Sequence, residues 1–169
     1  MKIIKTKDAT KVVLDRIKAL TKSEVLVGIP DANAARTDAE DAEKKGEPIN
    51  NAGLGYVHEF GIPEKNIPAR PFLFPGVSDA KDRIAKVLSN GARKVLSGDA
   101  GAGDAALTKV GLIAETSVKS RIDEGPFVPL APVTIAQRKR RGRTGEKPLI
   151  DTAQMQRSVT HVVRPKGDD

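Results

Sequence analysis

Residues 78–122 read SDAKDRIAKVLSNGARKVLSGDAGAGDAALTKVGLIAETSVKSRI, and this stretch decides the fold class. Apolar residues recur at helical spacing on both sides of Gly98–Gly103, which predicts two long helices joined by a glycine-rich link. We place their N-terminal caps at Ser78 and Asp104. Two helices with so short a connection form an αα-hairpin. The inward stripes are Ile84, Val87, Leu88, Ala92 and Val95, then Leu107, Val110, Ala114, Val118 and Ile122.

Two short apolar runs outside the hairpin have the composition of strands. Residues 24–29 are rich in β-branched side chains and stop at Pro30-Asp31, which is typical of a strand ending in a turn. Residues 158–163 alternate in polarity, so we predict that they pair with residues 24–29. Within this second run His161 is expected to face solvent or a neighbouring subunit. An amphipathic helix is expected before the first run.

Size and composition limit the class of protein. A chain of 169 residues fits one domain, residues 1–169, and a net charge of +7 with a pI near 9.7 makes it basic. The absence of cysteine excludes disulfides, thiolate metal ligands and cysteine nucleophiles. No apolar run approaches the roughly 18 residues of a membrane span. The first residues are too charged for a secretory signal, so we expect a soluble protein made in the cytoplasm.

Three segments are predicted to lie outside regular structure. Residues 31–50 contain six acidic and three basic side chains without helical periodicity, which predicts a flexible acidic loop. Residues 136–147 are predicted to form a basic loop, and residues 164–169 a polar tail. The acidic and basic loops are surfaces of opposite sign that could meet between neighbouring subunits.

The aromatic residues are concentrated in one part of the chain. Four of the five lie between Tyr56 and Phe74, and residues 62–75 contain four prolines. Prolines fix φ and hold their predecessors extended, so we predict a stiff extended arm with Phe72 and Phe74 on one face. Such an arm could dock on another subunit or close the core of its own subunit. The candidate contact residues are Tyr56, His58, Phe60, Arg70, Phe72 and Phe74.

A dense basic cluster follows further along the chain. Five of the six residues 138–143 are positively charged: Arg138, Lys139, Arg140, Arg141 and Arg143. Three interpretations stay open: a solvated loop, a surface for an acidic protein partner, or a contact with DNA phosphates. The cluster has no stacking aromatic residues beside it, which argues against recognition of single strands.

The sequence contains few features that are typical of a catalytic site. His58 and His161 lack metal-ligand spacing, no serine lies in a nucleophile elbow, and Gly98–Gly103 lacks the Lys-Ser/Thr of a phosphate-binding loop. We therefore predict no catalytic site, no metal and no cofactor. A metal-dependent hydrolase is the enzymatic alternative, which tight retention of a stoichiometric metal would support.

The order of several motifs resembles one known family. These motifs are Tyr56-Val-His-Glu-Phe-Gly61, Asn66-Ile-Pro-Ala-Arg-Pro-Phe-Leu73, the helical pair, Pro129-Leu-Ala-Pro-Val-Thr134 with its basic stretch, Pro148-Leu-Ile-Asp-Thr152 and Ser158-Val159. Over roughly residues 52–163 the chain is similar to the tail-completion (neck) and virion-morphogenesis proteins of long-tailed bacteriophages. The chain departs from this family by Ala153, where a glycine is usual, and by its long 31–46 segment.

The resemblance implies a fold, a role and partners. The fold would be α+β, with a small antiparallel sheet packed against the αα-hairpin. The protein would be a structural part of the virion, without a catalytic site, forming a ring of commonly six copies in the phage neck. Its partners would be the tail tube or tail terminator and the head connector, with contact to phage DNA in the lumen as a further possibility. The alternative function is a small basic nucleic-acid-binding protein.

Overall fold

A computed structural model describes residues 10–36 and 49–167 of the chain. Within these ranges seven α-helices accompany one pair of strands. Single turns of 3₁₀ helix lie at Asp31–Asn33 and Pro63–Lys65. None of the helices in the described ranges is long and apolar enough to cross a membrane. The elements in chain order are α1 (Thr10–Leu20), β1 (Ser23–Gly28), α2 (Asn51–Phe60), α3 (Leu73–Asp79), α4 (Lys81–Ser97), α5 (Ala102–Glu124), α6 (Pro132–Arg140), α7 (Gln154–Ser158) and β2 (Thr160–Pro165).

The predicted αα-hairpin is present as α4 and α5. Gly98 ends α4 with a φ of 114°, a left-handed conformation that glycine adopts without strain. Gly91 allows the two helices to approach closely, because a Cβ atom there would overlap the side chain of Ala106. The predicted N-terminal caps are wrong: Ser78 lies inside α3, and α5 begins before Asp104, which lies in its first turn.

The predicted strand pair is also present. Strands β1 and β2 run antiparallel, with Val25 opposite Val163. The sheet packs against α5, where the ring of His161 lies over Gly111 and its Nδ1 is 2.7 Å from Glu115 Oε2. His161 is therefore an internal contact between sheet and helix. The chain has the α+β fold expected for it, with a small antiparallel sheet on a long helical hairpin.

The hydrophobic core lies where the proline-rich arm, α5 and the C-terminal segments meet. Phe72, the last residue before α3, is 3% exposed and belongs to this core. The arm therefore closes the core of its own subunit, which was one of the two alternatives. The other buried core residues are Val118, Ile122, Leu149, Met155 and Val159.

The extended arm is shorter than predicted. Residues 68–72 have no regular structure, but α3 begins at Leu73 and includes Pro75. A proline in the first turn of a helix costs little, because backbone nitrogens there have no partner within the helix. The helical turn separates Phe72 from Phe74, which is 66% exposed. The prediction that these two rings share one face is therefore wrong.

The predicted loops are only partly loops. The first part of the 136–147 segment belongs to α6, which extends to Arg140. The strand β2 reaches Pro165 and so includes the start of the predicted 164–169 tail. Of the predicted acidic loop 31–50, residues 31–33 form a 3₁₀ turn and residues 37–48 lie outside the described residues.

Candidate functional site

The two most characteristic motifs of the sequence are joined by Glu59. This buried carboxylate accepts hydrogen bonds from the backbone nitrogens of Phe72 and Leu73 through Oε2, at 2.7 and 2.8 Å. Its Oε1 accepts a third, from the nitrogen of Phe74 at 3.1 Å. These are donors that the first turn of α3 leaves unpaired, and a negative charge is favourable at the amino end of a helix. Glu59 on α2 therefore fixes where α3 begins and how it is oriented.

Gly61 turns the chain back after α2. It adopts a φ of 74°, and a Cβ atom there would lie 2.7 Å from the backbone nitrogen of Ala69. Only glycine allows this close return of the arm. The backbone nitrogen of Arg70 then donates to the carbonyl of His58 at 2.7 Å. The backbone of His58, and not its imidazole, holds the arm against α2.

Three aromatic rings are exposed to solvent where α2 meets the start of α3. We call this group, formed by Tyr56, Phe60 and Phe74, the aromatic patch. Their residues are 68%, 54% and 66% exposed. The ring centres of Tyr56 and Phe60 are 4.8 Å apart, and those of Phe60 and Phe74 are 6.3 Å apart. A largely apolar groove of about 220 Å³ runs beside them, between β1, α2 and the start of α3. The patch is thus a cluster of large apolar side chains that one subunit leaves uncovered.

Arg70 and Phe72 are not part of that surface. Arg70 is 6% exposed, and its Nε and Nη2 donate to the carbonyls of Val128 and Pro129 at 2.8 and 3.0 Å. Burial and the nearby Arg138 lower the pKa of Arg70. Five of the six candidate contact residues therefore divide into two groups: Tyr56, Phe60 and Phe74 face outward, while Arg70 and Phe72 support them from within. The sixth, His58, lies in the wall of a cavity described below.

Arg138 is buried, although the sequence analysis placed it in a basic surface. Its Nη1 donates to the carbonyls of Gly145, Lys147 and Ile150 at 2.9–3.0 Å. Its Nε lies 3.4 Å from the carboxylate of Asp151. The guanidinium therefore organises the loop that follows α6. A buried guanidinium with these partners has no part in a surface contact, so this assignment is corrected.

The rest of the basic cluster lies nearer the surface. Lys139 and Arg140 are exposed on α6, where Lys139 pairs with Glu146 at 3.5 Å. Arg143 forms a 2.6 Å ion pair with Asp151. Arg141 is exposed and also lines a cavity described next. Only part of the predicted basic loop is therefore available to an acidic partner or to DNA.

A cavity of about 360 Å³, which we call the arginine cavity, lies between α2, the arm, α6 and the turn before α7. Its wall includes His58 together with Arg36, Arg70, Arg138 and Arg141. Burial, followed by the charges of Arg70, Arg138 and Arg36, lowers the pKa of His58 from 6.5 to about 4. The imidazole is therefore neutral at physiological pH, in a positively charged environment.

Two buried polar residues that matter to the site were missed by the sequence analysis. Glu59 was quoted in a motif without a role, and Asn51 was not considered. Asn51 is 1% exposed, and its Nδ2 donates to the carbonyl of Ala35 and to Ser158 Oγ. The only local indication of a buried role for Asn51 is its position as a polar residue at the start of an apolar helix. Its partner Ser158 lies too far along the chain to be identified from spacing.

Across residues 10–36 and 49–167 no three histidine, aspartate or glutamate side chains are close enough together to hold a metal ion. His58 lies among arginines, which repel a cation. His161 instead binds Glu115, at an interface between sheet and helix. Burial raises the pKa of Glu115, but hydrogen bonds from Lys119 and His161 outweigh this and leave the pKa lowered.

Comparisons with known proteins give a short match. A segment of 40 residues is 42% identical to part of an uncharacterized protein of Methanocaldococcus jannaschii, covering 24% of this chain and 30% of that protein. The matched segment thus spans less than a third of that relative, whose name states no activity, ligand or partner. No family model matches the chain. No solved structure matches it.

Proposed function

We propose that this chain is a structural subunit of the neck of a long-tailed bacteriophage, located in the virion. Copies of it form a ring, commonly of six, that completes the tail and joins it to the head. The partners are the tail tube or tail terminator on one side and the head connector on the other. The proposal includes no catalytic step, so the protein acts through the fit of its surfaces.

The single observation that carries the proposal is the aromatic patch. Its rings come from the two motifs that carry the family resemblance, Tyr56–Gly61 and Asn66–Leu73 with the adjoining Phe74. The Glu59 carboxylate fixes α3 against α2 and so fixes the relative position of these rings. Large aromatic side chains with defined positions bury much apolar area and lose little conformational entropy on docking. A rigid patch of this kind supports an assembly role.

A ring requires each copy to present two different surfaces that complement each other. The aromatic patch is one candidate surface. The helix α1 is a second, because four of its apolar residues are 40–51% exposed and none of its residues is buried. These exposed residues of α1 are Val12, Val13, Leu14 and Ile17.

Electron microscopy of particles made without this chain tests the proposal. We expect separate heads and separate tails, because the joint between them is missing. Restoring the wild-type chain from a plasmid should restore joined particles. Particles that lack the chain but carry normally attached tails would contradict the proposed function.

A second candidate, non-specific binding of nucleic acid, is favoured by α4. Five basic side chains of this helix are exposed, against the single acidic side chain of Asp82. Exposed positive charges on a helix can neutralise phosphates without reading sequence. These residues are Lys81, Arg83, Lys86, Arg93 and Lys94.

A filter-binding titration with duplex DNA at several salt concentrations separates the two functions. Tight binding that weakens steeply with salt favours a nucleic-acid-binding protein. Absence of binding at physiological salt would contradict this second candidate. Glutamine at Arg93 and Lys94 should reduce any binding that uses α4.

A further inference from the structure

Strand β1 has an outer edge whose backbone groups point away from β2. The nitrogen of Lys166 donates to the carbonyl of Lys22 at 2.8 Å, and this pair continues the register of the sheet. Hydrogen-bonded positions alternate in an antiparallel pair, so β1 bonds to β2 through its even-numbered residues. The N–H and C=O groups of the other residues, Ser23, Val25 and Val27, therefore point outward. We call these three residues the β1 edge.

Strand β2 has a matching outer edge. By the same alternation its outward residues are His161, Val163 and Pro165, which we call the β2 edge. Pro165 has no N–H to donate, and a proline at an outward position interrupts no bond within the sheet. Within residues 10–36 and 49–167, no hydrogen bond uses the backbone groups of either edge. Unpaired strand edges are templates for the addition of another strand.

The face of the sheet turned away from α5 carries one apolar pair and one charged pair. Leu26 lies opposite Val162, and the two are 43% and 42% exposed. Glu24 lies opposite Arg164, whose Nε donates to Glu24 Oε1 at 3.0 Å. On this face β1 therefore presents an acidic and an apolar side chain, and β2 presents a basic and an apolar side chain in matching positions.

We propose that the β1 edge of one copy pairs with the β2 edge of a second copy, so that the sheet continues across the subunit boundary. In the register of the sheet itself, Val25 of one copy lies opposite Val163 of the next. The charged pair and the apolar pair of the outer face are then repeated between the copies. Opposite charges and apolar side chains on neighbouring strands stabilise a sheet.

Pairing between two β1 edges fits less well. An antiparallel pair centred on Val25 sets Glu24 of each copy opposite Leu26 of the other, so both matches are lost. Pairing of a β1 edge with a β2 edge also leaves one edge of each kind free. Further copies can therefore add in the same way until a ring closes. The inference deepens the proposed ring and rests on that assembly role.

The β1 edge lies beside the surface that carries the assembly proposal. The groove next to the aromatic patch is lined by Gly28 and Ile29, at the end of β1, and by Val159, just before β2. A second copy on the β1 edge therefore lies next to the aromatic patch. The contact between copies and the exposed rings then form one continuous surface.

Disulfide cross-linking tests the pairing, because the chain has no cysteine of its own. Leu26→Cys and Val162→Cys are made as separate full-length variants with different affinity tags, and are purified, mixed and oxidised. We expect a disulfide-linked product that carries both tags and has about twice the 18.0 kDa mass of the chain. Neither variant alone should give such a product. In the control mixture Leu112→Cys, at an exposed site of α5, replaces Val162→Cys and should give little linked product.

Light scattering on two variants of Val163 separates backbone pairing from the loss of a side chain. Val163→Pro removes an outward N–H of the β2 edge and no bond within the sheet, whereas Val163→Ala keeps that N–H. Loss of one hydrogen bond should make Val163→Pro require about tenfold more protein to assemble. Val163→Ala should assemble as the wild type does. The cross-linking result does not depend on whether Val163→Pro folds.

Four results would overturn the proposal. The first is a wild type that stays monomeric at millimolar concentration. The second is a mixed disulfide no more abundant than in the Leu112→Cys control. The third is a linked product from Leu26→Cys alone, which indicates pairing of two β1 edges, and the fourth is equal assembly of a folded Val163→Pro and Val163→Ala. Because these measurements use purified protein, their failure is distinguishable from failure of the proposed function, which micrographs of particles without the chain test.

Discussion

The carboxylate of Glu59 lies 2.7 Å from the backbone nitrogen of Phe72, and this contact connects the two motifs that flank the turn at Gly61. The same carboxylate reaches the nitrogens of Leu73 and Phe74. One side chain therefore begins α3, directs Phe72 into the core and leaves Phe74 at the surface. The core and the aromatic patch depend on the same group.

Replacing Glu59 should be strongly destabilising. In Glu59→Ala three backbone donors lose a charged acceptor, so we expect the free energy of unfolding to fall by about 3 kcal/mol. Glu59→Gln should cost less, because the amide keeps one acceptor oxygen. Urea denaturation measures both, with Glu64→Ala at an exposed site as the control. A Glu59→Ala variant as stable as this control would contradict the capping role.

Ala153 is expected to be replaceable by glycine with a gain in stability. It has a φ of 57°, a left-handed conformation that costs an alanine roughly 1–2 kcal/mol. Glycine avoids this cost but loses more entropy on folding, so Ala153→Gly should stabilise by about 0.5–1 kcal/mol. The change in thermal midpoint measures this.

The matched control for that variant is Ala85→Gly. Ala85 is an exposed residue inside α4, so glycine relieves no strain there and should lower the free energy of unfolding by about 1 kcal/mol. Equal effects of the two substitutions would show that the turn at Ala153 is unstrained.

The buried and exposed arginines of α6 should behave differently. Arg138→Gln removes the donor that binds three loop carbonyls, so we expect the free energy of unfolding to fall by about 3 kcal/mol. Backbone hydrogen exchange should also rise across residues 141–151. Arg140→Gln should change stability by less than about 0.5 kcal/mol. Matching exchange profiles for the two variants would contradict the role of Arg138.

Stability should fall as the pH is lowered from 6.5 to about 4 because of His58. Its pKa is lower in the folded protein, so the unfolded chain takes up the proton first and gains stability relative to the fold. The decrease in the free energy of unfolding that is due to His58 approaches about 3 kcal/mol at pH 4, and it levels off at lower pH. Urea denaturation at several pH values, on the wild type and on His58→Gln, measures the difference.

In His58→Gln the free energy of unfolding should fall less between pH 6.5 and 4, and the difference from the wild type should be about 3 kcal/mol. The lowered pKa of Glu115 gives a separate effect, since its stabilisation is lost only as the pH falls below 4.5. This second effect should persist in His58→Gln. Identical pH profiles for the two proteins would contradict the buried, neutral state of His58.

The sequence predicts the local elements well and their long-range contacts poorly. Apolar spacing identifies the hairpin, and β-branched composition identifies both strands, because these patterns reflect burial along a single element. The beginning of α3 was missed because it depends on Glu59, which lies 13 residues before Phe72. The prolines were taken to predict an extended arm, although Pro75 lies in the first turn of α3, where its missing donor costs little.

The basic cluster shows a second limit of sequence analysis. Five positive charges close together predict a surface, but Arg138 is buried by carbonyls of the loop that follows it. Burial of an arginine depends on acceptors that the backbone provides, and no sequence pattern reports their position. The arginine cavity has the same origin, since Arg36, Arg70 and Arg141 meet only through the fold.

Counting joined particles with a variant aromatic patch tests the central claim most directly. Phe60→Ser combined with Phe74→Ser alters two exposed rings, and Leu112→Ser at a 53% exposed site of α5 is the control. We predict that electron micrographs of particles made with the double variant contain mostly separate heads and tails. The control should give joined particles at the wild-type frequency, and both proteins should keep the wild-type free energy of unfolding within about 0.5 kcal/mol per substitution. Joined particles at the wild-type frequency with the double variant would contradict the claim.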